Sequence, residues 1–130
     1  MDNALTLLGL MKKAGALAIG AENAYDAALG KKAKLLITAK DASVHVLRQM
    51  KRAAEETDTP ETELSFTKAE IGAALGQKEC AAAAITNTGF ARAFCEKLGL
   101  LSLSERFSEK EARSKARRSA AGRQIKGGNR

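Results

Sequence analysis

Catalysis needs a nucleophile beside a base, a cage of metal ligands or a pair of carboxylates in a cleft, and this chain of 130 residues has few candidates for any of them. His45 is the only histidine. It stands between Val44 and Val46 on a segment of helical character with no cysteine near it, the setting of a surface or packing histidine. Cys80 and Cys95 are the only cysteines and belong to no metal-spaced cluster, so they read as buried thiols rather than ligands or a disulfide. Gly30-Lys31-Lys32 ends like a phosphate-binding P-loop, but Tyr25 occupies the place of that motif's first glycine, which argues against an ATPase. Asp2, Glu22, Asp26 and Asp41 are scattered near loop and helix starts, where carboxylates commonly serve as caps. No enzyme activity, metal, cofactor or small-molecule substrate is expected.

Charge points elsewhere. There are 22 Lys and Arg against 15 Asp and Glu, a net +7 with a sequence pI near 9.7, and such a balance favours polyanions. The excess is uneven: residues 1–104 hold 13 basic and 12 acidic residues, whereas 105–130 hold 9 and 3. Arg113, Lys115, Arg117, Arg118 and Arg123 are spaced by small residues; many charge runs are only solvated extensions, but this one-sided sign favours phosphate contact. From Ser108 onward apolar residues other than Ala nearly vanish, so 105–130 is expected to be a disordered basic tail behind one domain at 1–104. With no Trp, one Tyr and four Phe, a platform of stacked aromatics is scarcely available, which leaves recognition by shape and charge. No apolar run approaches the roughly eighteen residues of a membrane span, and the charges of 1–13 follow rather than precede the apolar stretch, opposite to a secretory signal. A cytoplasmic, monomeric protein is the expectation.

Several elements must position whatever these charges bind. Leu5, Leu8 and Met11 mark a first helix over 2–13, ending before Gly15, and 16–19 is a short extended piece. A second helix over 22–29 stops at Gly30, and Leu35-Leu36-Ile37 is an apolar run of strand length suited to cover on both faces. Asp41 or Ser43 can cap a third helix carrying Val44, Leu47, Met50 and Ala54. An edge-like strand over 62–66 follows Pro60. Thr67 with Glu70 three residues on is a capping-box signature, opening a helix that closes at Gly76. The alanines of 80–86 favour helix by propensity, yet their place between Gly76 and Asn87-Thr88-Gly89 fits a buried strand of small side chains. Phe90, Phe94 and Leu98 share one face of a last helix. The alternation implies a three-layer α/β/α sandwich around a small central mixed sheet.

Two blocks carry a family resemblance. From Leu7 the chain reads LLGLMKKAGALAIGAENAYDAALGKKAKLLITAKDAS, and from Phe66 it reads FTKAEIGAALGQKECAAAAITNTGFA. In their order these resemble the ribosomal L-seven-Ae family, the superfamily of kink-turn RNA binders, and most of all its short bacterial YlxQ-type members, over about residues 5–98. The resemblance implies structured RNA as partner, with ribosomal RNA or the ribosome itself among the expected partners. It implies contacts from Gly20, Ala21, Glu22, Asn23 and Asp26 at the start of the second helix, and from Gln77, Lys78, Glu79 and Cys80 in a second loop. A helix N-terminus presents free N–H groups to phosphate, and a glycine lets RNA approach closely. Kink-turn binders typically show Gly-x-Asn-Glu-x-x-Lys; here amide and carboxylate are reversed and Asp26 replaces the lysine, placing like charge against phosphate. Lys31, Lys32, Lys34 and Lys40 offer positive charge nearby, and Tyr25 can stack on a base or pack. A protein-interaction adaptor that kept the fold and docks through Glu55, Glu56, Asp58, Glu61 and Glu63 is the competing expectation.

Overall fold

A computed structural model describes residues 3–99 and Phe107. Its elements are α1 (Asn3–Lys13), β1 (Leu17–Ile19), α2 (Ala21–Leu29), β2 (Leu35–Thr38), α3 (Val44–Thr57), β3 (Glu61–Glu63), α4 (Lys68–Ala74), β4 (Ala82–Ile85) and α5 (Thr88–Leu98). The strands form one sheet in the order β1-β4-β2-β3. β4 runs antiparallel to β1 and β2, and β2 pairs in parallel with β3, so the sheet is mixed as expected.

Side-chain alternation assigns the two faces of the sheet. Leu35, Ile37, Ala83 and Ile85 join Leu8, Met11, Ile71, Leu75 and Phe94 in one core cluster, which α1, α4 and α5 cover. Leu36, Ala82 and Ala84 point the other way and meet Ala24 and Ala28 of α2 and Met50 and Ala53 of α3. All four residues of β2 and of β4 are buried, which is why those segments lack a polar alternation. The alanines of β4 are the natural complement of this layer: their small side chains let α2 lie close against the sheet. Phe107 is fully buried in the first cluster, so a residue beyond Ser104 contributes to the core.

One local expectation is corrected, and the choice between Asp41 and Ser43 as the cap of α3 is decided. The buried face of α3 is set by Met50 and Ala53, with Val46 and Ala54 packed beside them, and Val44 is 61% exposed. The larger apolar residues have the right spacing, but the partner face of α2 is built of alanines, and the register that brings Ala53 against it wins. Ser43 alone caps α3, accepting from the Val46 N–H at 3.2 Å. The Asp41 carboxylate instead accepts from the Lys68 N–H at 2.8 Å, serving the start of α4 across 27 residues of chain.

Candidate nucleic-acid interface

The site begins where β1 ends. Ile19 pairs with Ala83, and the Gly20 N–H then donates to the Ala82 carbonyl at 2.9 Å. Gly20 has φ 99° and ψ 155°, a region essentially closed to residues with a Cβ, and this conformation turns the chain into α2. The Gly20 carbonyl accepts the Ala24 N–H, closing the first helical bond, while no side chain caps the helix. The first N–H groups of α2 therefore have no side-chain acceptor, and they stand at the positive end of the helix dipole. The Asn23 side-chain amide donates back to the Ile19 carbonyl at 2.9 Å and pins the turn. Glu22, Asn23 and Asp26 are exposed, and Glu22 and Asp26 lie four residues apart on α2.

A second loop is held beside the first by backbone contact. Gly76, at φ 72°, ends the turn after α4, and the Gln77 N–H returns to the Gly72 carbonyl at 2.8 Å. The Cys80 N–H donates to the Lys68 carbonyl at 2.9 Å. Between these anchors the chain passes so near α4 that a Cβ on Gly72 would sit 2.5 Å from the Glu79 Cα, so only glycine fits. Gln77, Lys78 and Glu79 are exposed, as a contact loop requires. Cys80 is not: it is buried, and its Sγ donates at 3.3 Å to the Ala82 carbonyl, the same carbonyl that accepts the Gly20 N–H. Burial pushes the Cys80 thiol up from its ordinary range, and that of Cys95 up to about 11, so both stay protonated near neutrality. Cys80 is thus withdrawn from the expected contact surface, and the Gly20–Ala82 bond is what joins the two loops.

A third segment completes the cluster. The Ala39 N–H donates to the Ala81 carbonyl at 2.8 Å and the Lys40 N–H to the Phe66 carbonyl at 2.9 Å, placing exposed Lys40 beside the entrance to β4. The Thr67 hydroxyl accepts from the Glu70 N–H at 3.1 Å and the Thr67 N–H donates to the Glu70 carboxylate at 3.0 Å, the expected capping box, which holds the Glu70 carboxyl below the usual range. Because β1 and β2 are both antiparallel to β4, their ends and the start of β4 lie at one edge of the sheet.

Topology separates Lys31 and Lys32 from this cluster. The Lys32 N–H binds the Ala27 carbonyl and the Lys34 N–H binds the Ile85 carbonyl, at the opposite end of the sheet. The nine residues of α2 lie between, about 13 Å of helix. The tail positions Arg113, Lys115, Arg117, Arg118 and Arg123 lie outside the described residues. Tyr25 is half-buried against the α2–α3 cluster, and its hydroxyl donates to Glu56 at 3.2 Å.

Electrically the loop cluster is not basic. It carries Lys40, Lys68 and Lys78 against Glu22, Asp26, Asp41, Glu70 and Glu79. Lys68 and Asp41 did not stand out as a pair in the sequence, because nothing local joins a β2–α3 loop to the start of α4. Gly72 did carry a signal: a glycine inside a short helix lowers its stability unless something needs the space. Among the described residues no group of three or more His, Cys, Asp or Glu side chains could hold a metal, and no helix is long and apolar enough to cross a membrane.

A three-layer α/β domain with three loops gathered at one end of a mixed sheet, one of them opening a helix on a strained glycine, is the class these features define. The chain belongs to the Ribosomal protein L7Ae/L30e/S12e/Gadd45 family, whose model matches residues 2–94. The two sequence blocks fall within that span. Among solved structures, a Bacillus halodurans C protein of unknown function is similar with a TM-score of 0.71 at 23% identity, covering 76% of this chain and 99% of its own. The Giardia lamblia 15.5kD RNA binding protein is similar with a TM-score of 0.63 at 23% identity, covering 76% of this chain and 85% of its own. No curated protein matches.

Proposed function

We propose that this protein binds structured RNA, of kink-turn or ribosomal type, without catalysing a reaction, and that Gly20, Ala21, Glu22, Asn23, Asp26, Lys40, Gln77, Lys78 and Glu79 form the contact surface. One observation carries the reading: the two loops implied by the family resemblance, about 57 residues apart in sequence, meet at the Ala82 carbonyl, which accepts from both the Gly20 N–H and the Cys80 thiol. Membership of a ribosomal protein family and likeness to a protein named for RNA binding support it. The helix start supplies N–H donors for phosphate or base edges, while the excess of carboxylates means that most of the attraction comes from elsewhere, in this reading from Arg113, Lys115, Arg117, Arg118 and Arg123. Ribosome association and a cytoplasmic, monomeric protein belong to the same proposal.

Filter binding of the full chain to a kink-turn RNA, a straight duplex and ribosomal RNA tests the reading. The expected result is a preference for the structured RNAs that a synthetic peptide of residues 113–130 does not show. Equal affinity of chain and peptide for all three would refute the domain's part.

A further inference from the structure

Away from the loop cluster, α2 and α3 lie side by side on the same face of the sheet. α2 follows β1 and α3 follows β2, and these strands point the same way, so both helices start at the end that carries Gly20. Between them opens a groove of about 490 Å³ lined by Tyr25, His45, Arg48, Gln49 and Arg52. Its character is opposite to that of the loop cluster. Two guanidinium groups, an imidazole and a carboxamide line it. Beside it, the Glu56 carboxylate accepts the Tyr25 hydroxyl at 3.2 Å and lies 4.0 Å from the Arg52 Nε. Arg48 and Arg52 stand four residues apart, about 6 Å along the helix axis, and both are exposed. That spacing suits neighbouring phosphates on one strand, and the guanidinium fork can bind each through two parallel hydrogen bonds.

We infer that this groove takes the phosphodiester backbone of the RNA helix flanking the element held by the loop cluster. The inference rests on the RNA-binding reading. Its warrant is the division of charge: the loops have donors and shape but more carboxylates than lysines, whereas the groove starting from the same end of the sheet is lined by two guanidinium groups and no carboxylate. His45 and Arg48 lie in the first turns of α3, at the end of the groove nearer Gly20.

The test uses the full chain and a kink-turn RNA hairpin, made once with a minimal flanking helix and once with that helix longer by one turn. Lengthening is expected to tighten wild-type binding about tenfold. A double variant, Arg48→Gln with Arg52→Gln, should lose that gain, lower the salt slope on the long RNA by about 2 and bind the short RNA as wild type does. Both side chains are exposed, so an unchanged thermal melt checks that the fold is intact. Wild-type behaviour of the variant on the long RNA, or an equal loss on both RNAs, would overturn the inference while leaving RNA binding standing. Failure of the wild-type chain to bind either RNA would instead bring down the RNA-binding reading and this inference with it.

Discussion

The two ends of α2 differ in charge and offer different opportunities. At its start, Gly20 is bound to Ala82, Asn23 pins the turn, and loops from two other parts of the chain stand alongside. At its end, Lys31 and Lys32 are exposed and make the surface basic, but their backbone is tied to Ala28 and Ala27, and that of Lys34 to Ile85 at the far end of the sheet. Charge in the sequence is densest at the end with less structure around it. A surface able to recognise shape is made where strand ends converge, and lysines a few residues away can lie at the opposite end of the sheet.

The largest expected effect attacks the scaffold of the convergent end. Gly72→Ala drives a Cβ into the Glu79 backbone and should cost about 3 kcal/mol, read by urea denaturation, because backbone cannot rotate out of the way. Next is Gly20→Ala. Open space surrounds its Cβ position, so the cost is conformational alone, about 1–3 kcal/mol, and RNA affinity should fall with it as the loop relaxes. A smaller effect of opposite sign is expected from Asp26→Lys: kink-turn affinity rises about threefold and the salt slope steepens by about 1, whereas an unchanged affinity in filter binding would mean that this face does not meet RNA. The smallest is Lys31→Gln with Lys32→Gln, which should change affinity less than about twofold. A loss greater than that of Lys40→Gln would reverse the comparison.

Most of the architecture was legible because local rules and global packing agree. Thr67 and Glu70 form the capping box that their spacing announces, and the alanines of β4 are strand because two helical layers press on them. The misread positions depend on partners distant in sequence. Asp41 looks like a cap for the helix that follows it, yet a better-placed N–H at Lys68 claims it. Cys80 sits in a contact loop by resemblance, but the meeting of Gly20 and Ala82 draws its thiol inward. The face of α3 could not be chosen from its own residues, since Val44 and Ala53 trade places according to what α2 presents. Lys31, Lys32 and Lys40 read alike as basic neighbours of the site, and only the antiparallel pairing of β4 with its neighbours sorts Lys40 from the others.

Amide hydrogen exchange with and without a kink-turn RNA tests most directly which end of α2 meets RNA. Added protection is expected at 20–26, at Lys40 and at 77–79, with none at 31–34. Protection concentrated at 31–34, with 20–26 and 77–79 unchanged, would contradict it.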